Sequence, residues 1–192
     1  RHHQFTKSPE YYEHSDAKFR MIQLVLTLQQ DSGVTYCPSK RSAQSEADLL
    51  DPSFFDDASM VFLCGILTDP QRGTCASLPV LVTAIGRRLG YPLKLVATKG
   101  HLFVRWESPD GKERFNIEVA GEGLDFYPDE FYRNWPMKVS DVEIEQEGFL
   151  KSMTPDEESA VFLELRGYCL EANHRYEEAR DAFELAIRAR PH

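Results

Sequence analysis

The chain has 192 residues, with 31 Asp and Glu against 22 Lys and Arg, for a formal charge of −9. Hydrophobic residues at 42% and charged residues at 28% are the proportions of a folded domain, which excludes wholesale disorder. The acidic balance argues against broad nucleic-acid binding, and the longest nearly unbroken apolar stretch, Met60 to Leu67, is far short of the roughly 20 residues that span a bilayer.

Residues 1–15 are polar and read as a frayed start. From Asp16, apolar residues at Ala17, Met21, Leu24, Val25 and Leu28 fall on one helical face, with Asp16 placed to cap it and Gly33 just past its end. Residues 34–53, rich in Ser, Asp and Lys, read as a long surface loop of the kind that often carries function. A second helix is predicted from Asp57 through Phe62 and Leu67, stopped by Asp69-Pro70. A third carries Leu78, Leu81, Val82, Ile85 and Leu89 at helical spacing, with Arg87 and Arg88 in its final turn and Gly90 as terminator.

The period then changes to two. Leu93, Leu95 and Ala97 alternate with their neighbours, His101 to Trp106 follows as a strand, and Ser108-Pro109-Asp110-Gly111 suits a type I turn into a returning strand from Arg114 to Val119. A helix feeding an antiparallel sheet is an α+β signature. A short helix is expected at Asp129 to Asn134, then an acidic stretch of uncertain form. At the end, Gly167, Tyr176, Ala179, Phe183, Ala186 and Pro191 fall where a tetratricopeptide repeat places its small, aromatic and terminating residues. Two units are therefore expected: a core with N-terminal helices over 1–153 and a helical repeat over 154–192.

Cysteines at 37, 64, 75 and 169 form no Cys-x-x-Cys pair, which argues against zinc and against a secreted disulfide scaffold. No metal or cofactor is expected, and a reducing, cytoplasmic setting is. The start at Arg1-His2-His3, without an initiator methionine, reads as that of a fragment or of a processed chain, which leaves a targeting segment open. Cys37, Cys64 and Cys169 read as small packing residues. Cys75 differs: it lies among small residues at a helix start, because Pro79 is tolerated only within the first positions of a helix. A sulfur there is favoured as thiolate, and the nearby free N–H groups can hold an oxyanion.

His101 is the one histidine embedded at the head of an apolar strand. If the following hairpin is centred on Pro109-Asp110, residue 103 faces 116 and residue 101 faces 118, so that His101, Asn116 and Glu118 share one face with Asn116 diagonal to the imidazole. A cysteine nucleophile needs a base and a third group to orient that base. Cys75, His101 and Asn116 supply the trio, the same residue types that papain-like proteases use. Gln71 is a weaker candidate as an oxyanion donor, and Glu118 as a substrate-binding carboxylate or a partner of Arg105 or Arg114.

The runs Gly73-Thr74-Cys75-Ala76-Ser77-Leu78-Pro79, Gly100-His101-Leu102-Phe103-Val104-Arg105 and Phe115-Asn116-Ile117-Glu118 resemble the transglutaminase-like superfamily, in particular its bacterial branch in which the core precedes tetratricopeptide repeats. The resemblance covers residues 55–120. It implies a papain-like α+β core with the cysteine opening a helix packed on an antiparallel sheet, and it carries the catalytic roles onto Cys75, His101 and Asn116. Acyl transfer at an amide or peptide bond of a protein or peptide is the activity implied. The other expectation is a catalytically silent module that holds a partner protein through its helical repeat.

Overall fold

The computed structural model describes residues 6–68, 71–121 and 123–190. Its first long helix, α1 (Asp16–Leu26), is capped by Ser15 rather than Asp16: the Ser15 hydroxyl accepts from the Lys18 N–H at 2.9 Å. The stretch ahead of it is better ordered than its polarity suggests, because a 3-10 turn at Pro9–Tyr12 buries Tyr12 edge-on against Phe19. Past α1 the chain widens into a π turn at Thr27–Asp31 and reverses at Gly33, whose φ of +74° suits glycine.

The long loop is more structured than expected. Strand β1 (Thr35–Tyr36) pairs in parallel with β2 (Arg72–Gly73), and the Cys37 N–H donates to the Gly73 carbonyl at 2.8 Å. Between them lie α2 (Glu46–Leu50), a 3-10 turn at Pro52–Phe54, α3 (Ala58–Val61) and α4 (Leu63–Ile66). The single helix expected from Asp57 is thus two short ones. Phe62 is extended between them (φ −111°, ψ 159°), and Gly65 folds back so tightly on Ser59 that a Cβ there would stand 1.8 Å from the Ser59 carbonyl oxygen. The predicted stop at Asp69-Pro70 lies outside the described residues, as do His2, His3, Pro191 and His192.

Helix α5 (Leu78–Arg88), with Pro79 in its first turn, leads into an antiparallel meander of β3 (Leu93–Thr98), β4 (His101–Glu107) and β5 (Arg114–Ile117). One face of this sheet, carrying Val104, Trp106 and Ile117, packs with Leu78, Leu81 and Val82 of α5 and Met21, Leu24 and Val25 of α1 in the main apolar core. Alternation sends His101, Phe103 and Arg105 to the other face, where α6 (Asp129–Asn134) stacks Tyr132 on Phe103 at 3.7 Å. The acidic stretch forms α7 (Asp141–Glu147), closed at its start by a Ser140–Glu143 capping box. The chain then bridges back to β3, with the Leu150 N–H donating to Ala97 and the Met153 N–H to Leu95.

A second capping box, Thr154 with Glu157, opens α8 (Pro155–Ala172), which pairs with α9 (Tyr176–Ala189) as a helical hairpin. The molecule is therefore mixed α and β with a C-terminal helical hairpin. That hairpin buries one side on the core. Val161 packs with Leu95, Leu102 and Met153, Cys169 packs with Val61 and Ala76, and Arg87 forks onto Glu158 at 2.5 and 2.8 Å. No helix among the described residues is long and apolar enough to cross a membrane.

Candidate active site

Cys75 lies in the turn between β2 and α5, a turn pinned by hydroxyls. The Ser77 hydroxyl accepts from the Thr74 N–H at 3.0 Å, the Thr74 hydroxyl accepts from the Ala76 N–H at 3.2 Å, and both hydroxyls donate to the Met60 carbonyl. The small residues around Cys75 therefore serve a rigid local geometry at the mouth of the helix. Cys75 itself is 4% exposed.

His101 opens β4 directly after the two-residue turn Lys99-Gly100. Glycine is required there twice over: φ is +76°, and a Cβ would crowd Met137, Ala43 and Leu49 at 3.1–3.3 Å. The imidazole is fully enclosed and both ring nitrogens are engaged. Nε2 meets the Glu118 carboxylate at 2.7 Å, and Nδ1 meets the Ser42 hydroxyl at 2.8 Å. Trp135 lies edge-on to the ring at 4.8 Å, and the Tyr132 ring lies parallel to it at 6.2 Å.

Glu118 is itself held fast. One carboxylate oxygen accepts from the Val119 and Ala120 N–H groups, and the other accepts from the Tyr132 hydroxyl as well as facing His101. Burial alone would drive the imidazolium pKa down. The hydrogen bond to Glu118 and the negative charge of Glu118 and Cys75 outweigh it and lift His101 to about 9. The shift favours the cationic ring at neutral pH, with the Ser42 hydroxyl, the Glu118 carboxylate and the Cys75 sulfur as its polar neighbours. Tyr36 borders the same cluster. Burial first, then the charge on Cys75, push its phenol up to about 12.

Asn116 is not the group that orients His101. The hairpin closes one residue later than expected, with Ser108 N–H on the Glu113 carbonyl, because Asp110 ties the Ser108 hydroxyl and the Lys112 N–H into the loop. The register therefore runs Val104 opposite Ile117 and Arg105 opposite Asn116. Continued by one residue it sets Glu118 beside Phe103, diagonal to His101, in the place expected of Asn116. The Asn116 oxygen instead accepts from Arg105 Nε at 2.7 Å, and its amide donates to Asp129 and to the Tyr127 carbonyl. Arg105, the largest fully buried side chain, spends its remaining donors on Asp129, Leu150 and Ser152, clamping the 127–152 segment to the sheet.

Gln71 is likewise elsewhere. Its backbone carbonyl holds Thr35, its side chain lies against Gly33, and it makes no hydrogen bond to Cys75, His101 or Glu118 among the described residues. Glu118 pairs with His101 rather than with Arg105 or Arg114. Arg87 serves structure, joining the Leu93 carbonyl to Glu158. Cys37 and Cys169 are buried, but Cys64 is exposed and not a packing residue. Sequence reasoning missed Ser42 and Tyr132. Nothing distinguishes Ser42 within its polar loop, whereas Tyr132 and Trp135 do carry a signal, two large aromatics three apart on a short helix and the residue that ends it. Among the described residues no cluster of His, Cys, Asp and Glu is placed to hold a metal ion.

Compared with models of known families, with curated proteins and with solved structures, the chain matches none.

Proposed function

We propose that the chain is a cysteine acyl-transfer protein of transglutaminase-like, papain-like design, acting on an amide or peptide bond through Cys75, His101 and Glu118. The observation that carries this reading is a buried imidazole whose Nε2 meets a carboxylate fixed by three further donors, with the Cys75 side chain close enough to act on its charge. Cys75 is the nucleophile. His101 holds the proton that the Cys75 thiol gives up. The thiolate attacks the carbonyl carbon to give a tetrahedral oxyanion; the Thr74, Ala76, Ser77 and Leu78 N–H groups, expected as its donors, are instead engaged within the turn. The proton on His101 then goes to the leaving amine as the carbon–nitrogen bond breaks, leaving a thioester. Water or a second amine, deprotonated by the now neutral imidazole, resolves it. Glu118 keeps the ring oriented and offsets the imidazolium charge, which a carboxamide could not do.

The test is the rate of Cys75 alkylation by iodoacetamide against pH, read by mass spectrometry of the modified peptide. Reactivity at Cys75 persisting well below the ordinary thiol range of about 8.5 supports the reading. A Cys75 whose alkylation rises with pH over the same range as that of exposed Cys64 overturns it.

A second reading rests on a separate observation: a groove of about 660 Å³ runs between α3 and the hairpin, lined by Asp56, Asp57, Phe62, Arg166, Leu170 and Arg175. In that reading the chain is a silent module that holds a partner. It predicts that Cys75→Ala leaves partner binding intact, whereas the acyl-transfer reading predicts loss of turnover.

A further inference from the structure

We propose that Ser42 is a positioning residue for His101, its hydroxyl fixing the plane of the imidazole from the Nδ1 side as Glu118 fixes it from Nε2. The inference rests on the acyl-transfer reading for its purpose, but on geometry of its own for its substance.

Between Cys37 and Val61 the chain has one buried residue, and it is Ser42, 7% exposed. Burying a hydroxyl is costly unless it is paired, and its side-chain partner is Nδ1 of His101 at 2.8 Å, 59 residues away in sequence. The surrounding segment is fastened to the turn from which His101 emerges. Ala43 and Leu49 sit against Gly100, Glu46 pairs with Lys99 at 2.6 Å, and the Gln44 amide donates to the Ser42 carbonyl at 3.0 Å. The serine and the histidine are thus set by one local frame.

The chemistry suits a hydroxyl. In the imidazolium, Nδ1–H donates and Ser42 accepts; once Nδ1 has given up its proton, the rotatable O–H can turn and donate to it. The ring plane is then supported in both protonation states, and Ser42 yields Nδ1 only while a proton is exchanged there. The groups facing the ring are Cys75 from the helix mouth, Glu118 from beyond β5, Tyr132 and Trp135 from α6 and the residue after it, and Ser42 itself. Tyr36 is near enough to feel the charge of Cys75 and Glu118.

The experiment is an NMR titration of the His101 ring in the full chain, in wild type, Ser42→Ala and Ser42→Thr, each repeated with Cys75→Ala. Loss of an acceptor for a charged donor costs more than loss of a neutral bond, so Ser42→Ala lowers the imidazolium pKa by at least about half a pH unit, roughly threefold in proton affinity. Ser42→Thr, which keeps the hydroxyl, restores it. The shift persists in the Cys75→Ala background, so it is read even if Cys75 proves unreactive, an outcome that removes the acyl-transfer reading alone. A lowered melting temperature with an unmoved His101 titration marks Ser42 as packing only and overturns the proposal.

Discussion

Glu118 and Asn116 stand two residues apart on one face of the returning strand, yet they sit in different networks, and substitution separates them. Glu118→Gln removes the charge opposite Nε2, so the His101 pKa falls and alkylation of Cys75 at pH 7 slows by about tenfold or more. Asn116→Ala leaves the imidazole contacts untouched. It strips a buried acceptor from Arg105 and a donor from Asp129, costing about 1–3 kcal/mol of stability with alkylation unchanged. Urea unfolding and alkylation rates on the two variants measure both effects, and the reverse pattern would return the orienting role to Asn116. Sequence could place both residues on the correct face, because face depends on the parity of the register, but not which was nearer. That was decided by Asp110 closing a four-residue loop, two residues of register away from the alternative.

Periodicity identified the elements that have one buried side and uninterrupted hydrogen bonding. The helix Leu78–Arg88, the three strands, the short helix at 129–134 and the terminal hairpin all read directly from spacing, whereas Cys75, expected to open that helix, lies in the turn before it. It failed where the chain is shaped by a close approach, as at Gly65, or by a contact made far away in sequence, as at Ser42. Gly167 shows a close approach that was legible: a Cβ there would stand 2.4 Å from the Phe183 ring. Gly167→Ala is expected to pry α8 from α9 and destabilise the protein by about 1–3 kcal/mol, visible as a lower melting temperature. The segment carrying α2 answers to a different test. Cys75 and His101 are each 4% exposed, so a reagent reaches the sulfur only when cover is displaced. The segment's fastening to the His101 turn includes the Glu46–Lys99 pair, whose Glu46 end is largely exposed. Exposed pairs contribute little, and reversing one converts mild attraction into mild repulsion. Glu46→Lys should therefore speed Cys75 alkylation by about two- to fivefold, and added salt should narrow the gap to wild type. Equal rates would place the entrance elsewhere.

At the scale of the whole molecule, the His101 cluster ties together parts far apart in sequence: the segment around Ser42, the mouth of α5, the sheet and α6. Its titration is consequently a stability matter for the entire fold. The folded imidazole, raised from its ordinary 6.5 to about 9, binds its proton more tightly than the unfolded chain does. The resulting stabilisation is complete below about pH 6.5, declines as pH rises, and is gone once pH passes the folded value; two and a half pH units correspond to something on the order of 3 kcal/mol. Asp129 acts at the opposite end. Its burial would raise it, but the Asn116 amide and the Arg105 and Arg114 guanidinium groups hold it below the ordinary carboxylate range, so its contribution is present above about pH 4 and lost as pH falls further. The two effects define a stability maximum on the acidic side of neutrality, between about pH 5 and 6.5. Urea unfolding of the full chain from pH 5 to 10 should show free energy falling steadily from about pH 6.5 to 9, and the fall should flatten in Glu118→Gln, where the imidazolium has lost its counter-charge. A wild-type profile level across that window would mean that His101 is neutral in the folded protein, and the thiol beside it would lack the cation that the acyl-transfer chemistry requires.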